Sequence, residues 1–321
     1  MDPETHRLLV KLAKLYYEDG LTQMEIGRRL GLSRIKVSRM LRMAREEKVV
    51  QIMISPGGQT DTDLEHALEN KYGLAETIAV VPSEYSSTTI RAQLGPVAAQ
   101  CFLRGLKGSE TVAITWGRTL SAMVGALTTE HYPDLRVVQG LGGLSEPTSD
   151  VDGVDLTRRM AQTLGARAVI LSAPGIVNHK LTKDALMKER HIADVLTRTA
   201  LADIALVGVG IPSSDSVVRT NNVFTEEEFD RLQAKGAVGD IGLRYFDREG
   251  NAVRDEVNHR IMGVELEQLK RIPRVIAISG GSEKVPSLRA ALRGNLINVL
   301  VTDDRTARVL LQDEDEVGHD D

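Results

Sequence analysis

Residues 61–321 alternate between short strand-like segments and amphipathic helical patterns, and this alternation limits the possible folds more than any other feature. Neighbouring parallel strands need a connection long enough to hold a helix, so the alternation predicts an α/β domain with a largely parallel sheet. The predicted strands are Thr77–Val81, Thr111–Thr115, Arg136–Leu141, Ala168–Ala173, Ile204–Val209, Gly242–Phe246, Val275–Ser279 and Asn298–Thr302. A hairpin turn is predicted at Asp247–Asn251, and helices at 88–104, 119–129, 155–164, 182–202, 225–235, 284–293 and 305–312.

Length and composition favour a soluble protein of two domains. The 321 residues exceed the usual size of one hydrophobic core, and 42% apolar with 26% charged residues is typical of globular chains. The single cysteine, Cys101, excludes an intrachain disulfide framework and a cysteine-rich zinc site. The sequence has no signal peptide and no apolar stretch of about 18–20 residues, so we expect a cytoplasmic protein with no membrane partner.

The two ends of the chain differ in charge. Residues 1–55 contain 11 Lys and Arg against 7 Asp and Glu, whereas the remaining residues contain 29 against 38. A small basic segment suits a polyanion, and a large acidic segment repels one. The two parts are therefore expected to have different partners.

The first 54 residues are predicted to form an all-α helix-turn-helix unit of the winged type. Helical spacing predicts helices at 4–18, 23–30 and 34–47, and Val49–Ile54 is predicted to be a β-strand. Two helices joined by so short a connection have the spacing of a helix-turn-helix.

Caps and glycines define the middle of this unit. Thr22 followed by Glu25 is the pattern of a capping box, and Ser33 is a second N-cap. Gly31 allows the positive φ of the turn, and Gly27 lies where the helices cross so closely that only a small side chain fits. Alanine is more usual than glycine at that crossing.

The third helix presents a basic outward face that also carries Ile35. Guanidinium groups on such a helix suit guanine edges and phosphates in the major groove, and helix N-termini supply N–H groups to phosphates. The alternative is an interaction domain whose basic face is only solvated. The residues predicted to bind double-stranded DNA are Thr22, Gln23, Ser33, Arg34, Lys36, Ser38, Arg39 and Arg42.

Four glycine-containing loops follow predicted strands of the α/β domain. Ligands of open α/β sheets collect beyond the carboxyl ends of the strands, so the loops together favour a crevice for a phosphate or polyol. Taken singly, a glycine at a strand end is more often part of a tight turn than of a binding site, and Asp240 is either an acceptor for sugar hydroxyls or a turn aspartate. The loops are Ile114–Thr119, Gln139–Gly143, Leu206–Asp215 and Ile278–Lys284.

Motifs for catalysis, nucleotides and metals are missing from the sequence. No loop matches Gly-x-x-x-x-Gly-Lys-Ser/Thr, Gly-x-Gly-x-x-Gly before a helix, or Gly-x-Ser-x-Gly. The histidines show no His-x-x-x-His or His-Glu-x-x-His pattern. We therefore predict no cofactor, no metal and no catalytic residue.

Segments spread over nearly the whole chain match one family in order and spacing. They are Leu21–Ile26, Leu32–Arg39, Trp116–Leu120, Gly142–Gly143, Leu206–Gly210, Gly236–Asp240, Gly280–Gly281 with Lys284, and Leu300–Asp303. The chain resembles the SorC family of bacterial sugar-responsive transcriptional regulators. The resemblance implies an effector domain similar in fold to ribose-phosphate isomerases, glucosamine-phosphate deaminases and CoA transferases, and assembly into homodimers or homotetramers.

The resemblance also implies where the effector binds. The family's pocket is built from segments that match Gly117–Thr119, Ser213–Ser216, Asp240 and Lys284 here, and Arg118 fills a position that is often smaller or neutral. The residues expected to bind the effector are Gly117, Arg118, Thr119, Gly142, Gly143, Ser213, Ser214, Asp240, Gly280, Gly281 and Lys284.

We therefore predict a DNA-binding regulator of a carbohydrate or polyol catabolic operon, controlled by a sugar, polyol or sugar phosphate. The alternative is a phosphosugar isomerase- or deaminase-like enzyme with Asp240 and Lys284 as acid–base groups; a DNA-binding protein without a ligand would not need the large acidic domain. The predicted parts are a helix-turn-helix domain at 1–54, a linker at 55–62, an effector and oligomerisation domain at 63–314 and an acidic tail at 315–321.

Overall fold

A computed structural model of the chain describes residues 3–47, 49–50, 60–143, 152–212 and 224–312. It divides into two compact units, Met1–Pro56 and Gly57–Asp321, and each has hydrophobic core residues of its own. Residues 51–54 of the predicted strand, 55–59 of the predicted linker and the tail predicted at 315–321 lie outside the described residues.

The first unit is helical, as predicted. It contains α1 (Pro3–Ala13), a π-helical turn (Lys14–Glu18), α2 (Gln23–Leu30) and α3 (Arg34–Glu46). Both predicted N-caps are confirmed, because the Thr22 side chain accepts from the Glu25 N–H in a capping box and the Ser33 side chain accepts from the Lys36 N–H. The buried core consists of Leu9, Leu12, Leu15, Ile26, Val37, Met40, Leu41 and Ala44.

Gly27 determines how closely α2 and α3 approach each other. A Cβ atom at Gly27 would lie 2.6 Å from the carbonyl oxygen of Leu32, so the backbone would have to move to admit it. Gly31 ends α2 with a φ of +68°. The close crossing and the left-handed turn expected from the sequence are both confirmed.

The second unit is built on a parallel sheet, as predicted. Its strands are β1 (Glu76–Val80), β2 (Thr111–Ile114), β3 (Arg136–Gln139), β4 (Arg167–Val169), β5 (Ile204–Val207), β8 (Arg274–Ile278) and β9 (Val299–Asp303). The strand order is β1-β9-β8-β5-β2-β3-β4, and neighbours pair in parallel. A separate antiparallel hairpin joins β6 (Gly239–Ile241) to β7 (Arg244–Phe246).

Helices and apolar clusters cover both faces of the sheet. Consecutive residues of one strand enter different clusters, since Ile114 packs in one and its neighbour Ala113 in the other. Such a sheet, apolar on both faces, suits parallel strands that are connected by helices. The helices are α4 (Thr62–Tyr72), α5 (Ser87–Arg104), α6 (Arg118–Gly125), α7 (Gly153–Thr163), α8 (Lys180–Leu186), α9 (Arg190–Ala200), α10 (Glu226–Ala234), α11 (Glu256–Arg260), α12 (Leu266–Leu269), a 3₁₀ turn (Ser282–Lys284), α13 (Val285–Arg293) and α14 (Asp304–Leu311).

The strand order creates a topological switch point between β2 and β5. From β2 the chain goes on to β3 and β4 on one side, whereas after β5 the sheet is continued by β8 and β9 on the other. Connections that leave adjacent strands in opposite directions open a crevice at the carboxyl ends of those strands. The glycine loops after β2, β5 and β8 all lie along this edge.

The observed elements differ from the predicted ones at several places. The strand predicted at Ala168–Ala173 ends at Val169, the helix predicted at 119–129 ends at Gly125, and Val49 and Val50 of the strand predicted at Val49–Ile54 are not in a strand. The helix predicted at 182–202 is two helices, because Glu189 has an extended backbone and starts α9. The linker predicted at 55–62 ends before residue 60, because Thr60 pairs with Val80 and the Asp61 side chain caps α4. Of the strand predicted at Gly242–Phe246, only Arg244–Phe246 forms a strand (β7), because Gly242 belongs to the turn before it.

The hairpin turn predicted at Asp247–Asn251 is confirmed. The Asp247 N–H donates to the carbonyl of Asn251, and Phe246 pairs antiparallel with Ala252 beyond the turn. This turn follows β7, so the pairing of Phe246 with Ala252 continues the β6–β7 hairpin beyond β7.

Candidate functional site

The outward face of α3 is the first candidate site. Successive residues of an α-helix turn by about 100°, so the side opposite the buried Val37–Leu41 stripe carries Ile35, Arg39 and Arg42. All three side chains are exposed. Arg34, Lys36 and Ser38 are also exposed, on the flanks of this stripe. The structure therefore places six neighbouring positions of α3, four of them cationic and all but Ile35 predicted to bind DNA, on one accessible surface.

The predicted contacts at the helix starts have a second role. Thr22 Oγ1 donates to Glu25 Oε2 at 2.6 Å and accepts from the Glu25 N–H. Ser33 Oγ accepts from the backbone N–H of Lys36 at 3.2 Å. These hydroxyls hold the N-termini of α2 and α3, where Gln23 is half-buried. Their contact with DNA stays a prediction, and their capping role fixes the helices that would make the contact.

A cavity of about 730 Å³ lies at the carboxyl edge of the parallel sheet. It is bounded by the loops after β2, β5 and β8 at the switch point, and by the β6–β7 hairpin and α5. Its lining residues are Ser87, Arg91, Trp116, Gly117, Arg118, Thr119, Leu120, Leu141, Gly208, Val209, Gly210, Ile211, Asp240, Gly242, Leu243, Ile278, Ser279, Gly280, Glu283 and Lys284. Six of the eleven predicted effector residues are among them: Gly117, Arg118, Thr119, Asp240, Gly280 and Lys284.

Asp240 joins two walls of this cavity. Its backbone pairs with Gly210, and its carboxylate Oδ2 accepts from the Leu243 N–H at 3.1 Å. A Cβ atom at Gly210 would overlap the Asp240 carboxylate, so a larger residue there would force this side chain to move. The carboxylate thus holds the β6–β7 turn, where Leu243 has a φ of +64°, and also faces the cavity. Asp240 is therefore a turn aspartate and is also placed to accept a hydrogen bond from a ligand, so the two alternatives left open by the sequence are compatible.

Burial controls the charge of Asp240. Desolvation raises the pKa of its carboxyl to about 6, although Lys284 and the Leu243 N–H both favour the charged form. The same carboxylate adds to the burial that raises the pKa of Tyr245. Asp240 is therefore a buried acceptor that titrates just below neutral pH.

Three cationic side chains face the same cavity. Burial lowers the pKa of Lys284, and the charges of Arg91 and Arg118 lower it further, against the attraction of Asp240 and Glu283. Burial and the neighbouring Arg118 likewise lower the pKa of Arg91. Positive charge is thus crowded around Lys284, and an anion bound here would relieve that repulsion.

The start of α6 adds to this field. Gly117 is the residue before α6, and Arg118 and Thr119 are its first two residues. The first N–H groups of a helix lack partners within the helix and favour negative charge. Gly117, Arg118 and Thr119 therefore present N–H groups, a guanidinium and a hydroxyl to one part of the cavity.

The other predicted effector residues are placed elsewhere. Gly142 and Gly143 do not line the cavity; the Gly142 carbonyl accepts from Trp116 Nε1 at 2.9 Å, and Gly143 pairs with Pro174. Gly281 lies behind the lining, and its N–H donates to Asp303 Oδ2 at 2.7 Å. These glycines support Trp116 and the Gly280 loop. Ser213 and Ser214 lie outside the described residues.

Arg91, Ser87 and Glu283 were not predicted from the sequence. Arg91 and Ser87 lie in the first two turns of α5, the helix that follows β1. A helix that follows a parallel strand begins at the carboxyl edge of the sheet, so the start of every such helix is a candidate. That rule identifies Ser87 and Arg91, whereas Glu283 lies in the same predicted loop as Lys284.

Comparisons with known proteins identify both units. Residues 59–312 match the sequence model of the sugar-binding domain family (Sugar-bind), and residues 3–47 match that of Sigma-70, region 4. The crystal structure of the full-length sorbitol operon regulator SorC from Klebsiella pneumoniae has a TM-score of 0.73 at 30% identity and covers 96% of this chain and 100% of that one. The chain is a SorC-family transcriptional regulator.

Other relatives match over nearly the whole chain. The deoxyribonucleoside regulator of Bacillus subtilis is 33% identical and spans 98% of this chain and 100% of its own length. The erythritol catabolism regulatory protein EryD of Brucella abortus is 28% identical and spans 95% of this chain and 96% of its own length. These relatives are regulators, which decides against the enzyme alternative and confirms the predicted family and fold class. No helix among the described residues is both long and apolar enough to span a bilayer.

Proposed function

We propose that this SorC-family regulator controls a carbohydrate or polyol catabolic operon in the cytoplasm, and that a sugar phosphate in the cavity changes its affinity for operator DNA. The observation that carries the proposal is the pairing of a cationic side with a buried carboxylate in one cavity. Arg91, Arg118 and Lys284 form the cationic side, and Asp240 is the carboxylate. A phosphate ester on a polyhydroxylated carbon chain has the complementary chemistry at both ends.

Each half of the ligand has a matching group. The phosphate suits the three cations and the N–H groups at the start of α6, which act together in a partly desolvated space. A sugar hydroxyl suits Asp240, whose carboxylate is held in place by the Leu243 N–H. Relatives named for sorbitol, erythritol and deoxyribonucleosides support a ligand of this class.

The first unit supplies the DNA contact. Arg39 and Arg42, with Arg34 and Lys36 beside them, form an exposed basic surface on α3 that fits the major groove. The rest of the predicted set, Thr22, Gln23, Ser33 and Ser38, lies at the helix starts or on the flank of α3. We propose a homodimer or homotetramer, because two copies related by symmetry match paired half-sites in an operator.

The effector acts by binding one arrangement of the regulator better than another. A ligand shifts an equilibrium only through such differential affinity. Couplings of this kind are typically about 1–3 kcal/mol, which corresponds to a change of roughly 5–150-fold in DNA affinity. A change of this size is easily measured in a direct titration.

The test uses the full-length protein and a duplex selected by it from a random library. Sorbitol, erythritol and deoxyribose, each paired with its phosphate monoester, are added to thermal melts and to DNA titrations. We expect at least one phosphate monoester to raise the melting temperature and change DNA affinity, because ligands that bind the native state stabilise it. A response to free sugars alone would contradict the phosphate assignment, and melts that respond without any change in DNA affinity would contradict effector control.

A further inference from the structure

One side chain on the basic surface of α3 is neither charged nor polar. Ile35 is 81% exposed, in the first turn of the helix and on the stripe that also carries Arg39 and Arg42. The four buried side chains of α3 point to the opposite side, so no core contact of this helix accounts for an isoleucine at this position. Single exposed apolar residues are common on protein surfaces, but this one lies between cations on a surface that faces a polyanion.

A partner that packs against Ile35 must match the positive charge around it as well as its shape. A second copy of the chain would bring its own basic stripe against Arg34, Lys36 and Arg39, and like charges would repel. DNA is complementary to those cations, and its major groove offers one apolar group, the C5-methyl of thymine. The N-terminal residues of a helix that lies in the groove are those that meet base edges.

The direction of the side chain agrees with this assignment. Side chains of a helix lean towards its N-terminus, so Ile35 extends over the start of α3. Arg39 and Arg42 follow one and two turns later on the same stripe, where long guanidinium side chains can reach guanine or phosphate. Ile35 is thus at the end of the helix where a short apolar side chain reaches a base.

We propose that Ile35 recognises a thymine in each operator half-site by packing against its C5-methyl group. This specificity residue rests on the proposed function of α3 as the DNA-reading helix. Deoxyuridine differs from thymidine only by that methyl group, and so it isolates the contact from every phosphate and hydrogen-bond contact.

The experiment measures the affinity of the full-length protein for its selected duplex with each thymine replaced in turn by deoxyuridine. The wild type is expected to lose about fourfold at one thymine per half-site, the loss that corresponds to roughly 0.8 kcal/mol for one buried methyl group. Ile35→Ala is expected to bind the thymine duplex more weakly and to lose nothing further at that position. Ile35→Val keeps part of the apolar surface, so its affinity is expected to fall about twofold when that thymine is replaced by deoxyuridine.

Leu181→Ala is the matched control, because Leu181 is also 81% exposed but lies in the second unit. It is expected to keep the wild-type profile across all deoxyuridine duplexes. An Ile35→Ala protein that keeps the wild-type loss at that thymine would overturn the proposal. So would an Ile35→Ala protein that weakens all duplexes equally and changes its sedimentation mass, because Ile35 would then lie between copies.

Arg39→Ala separates this inference from the proposed function. If Arg39→Ala binds the selected duplex as tightly as the wild type, α3 is not the reading helix, and both the proposed DNA surface and the thymine contact are wrong. If Arg39→Ala weakens binding while Ile35→Ala keeps the wild-type deoxyuridine profile, only the thymine contact is wrong.

Discussion

The two units of this regulator present their functional groups in opposite ways. In the first unit, the side chains proposed to face DNA stand exposed on one helix, and the core beneath them is made of other residues. In the second unit, the cavity-lining groups come from segments far apart in the sequence, and several of them, such as Asp240, Arg91 and Lys284, are buried or half-buried. A surface site can be changed without changing its fold, whereas a buried site shares its residues with the fold. Substitutions should therefore separate function from stability in the first unit and couple them in the second.

The largest expected effect tests the exposed surface. The double substitution Arg39→Ala with Arg42→Ala is expected to weaken operator binding by roughly 100-fold or more, since each such contact contributes about 1–3 kcal/mol. The melting temperature should not fall, because both side chains are exposed and the Arg42–Glu46 pair at 3.7 Å contributes little. Gel-shift titration and thermal melts measure the two quantities.

The control for this pair is Arg248→Ala, an exposed arginine in the turn after β7. It should leave operator affinity unchanged at every salt concentration. If the double variant matches this control, or if it loses affinity only because it melts at a lower temperature, the surface is not a separable site.

The next effect concerns Lys284 in the cavity. Lys284→Met removes the half-buried charge and keeps a side chain of similar size, and affinity for a sugar phosphate is expected to fall roughly 10–100-fold. Operator affinity without effector should stay within about twofold of the wild type. Calorimetric titration of the sugar phosphate and DNA titration measure the two affinities.

Lys188→Met provides the comparison, because Lys188 is exposed on the surface of the second unit. It should bind effector and DNA as the wild type does. An unchanged sugar phosphate affinity in Lys284→Met would place the anion elsewhere.

The third effect links the buried site to stability through pH. Because burial raises the pKa of Asp240 to about 6, the folded protein keeps a proton that the unfolded chain has lost. The stability from this proton is present below pH 4 and is lost as pH rises through 6. Asp240→Asn is therefore expected to raise the free energy of unfolding of the second unit at pH 7.5, by up to about 3 kcal/mol, and to flatten its change between pH 4 and 6.

Denaturant unfolding followed across this pH range makes the measurement. Asp230→Asn, at an exposed position of α10, should keep the wild-type pH profile. An Asp240→Asn protein with an undiminished change between pH 4 and 6 would show that another group titrates there.

The smallest effect concerns Arg91. Arg91→Ala should reduce the preference for a phosphate monoester over its free sugar by about threefold to tenfold, because Arg118 and Lys284 remain. Parallel titrations of one sugar and its phosphate make the measurement. Equal losses for both ligands would assign Arg91 to the sugar rather than to the phosphate.

The same contrast explains what could be predicted from the sequence. The helix-turn-helix depends on short-range patterns, such as Thr22 with Glu25 and the glycines at 27 and 31, and these patterns are visible in one stretch of about twenty residues. The DNA surface follows from the helical period alone. Nearly all of the first unit was therefore predictable.

The cavity was predictable only in part. Strand ends and glycine loops identified Gly117, Gly280 and Lys284, but which loops meet depends on a strand order that no local pattern encodes. Arg91 was missed because α5 borders the cavity only once β1 is placed at the edge of the sheet. Gly142 does not line the cavity, and the sequence could not show this, since a glycine that admits a neighbouring backbone has the same sequence signal as one that admits a ligand.

The Asp303 carboxylate that holds Gly281 also has a mechanical consequence. It accepts from the N–H and the hydroxyl of Thr306, and so it clamps the cavity loop to the first turn of α14. On that helix, Arg308 lies 2.6 Å from Asp61, which caps α4 near the start of the second unit. The Gly280–Gly281 loop is thereby connected through α14 to Asp61 and the start of α4, so a ligand that moved this loop would act on the end of the sheet farthest from β4.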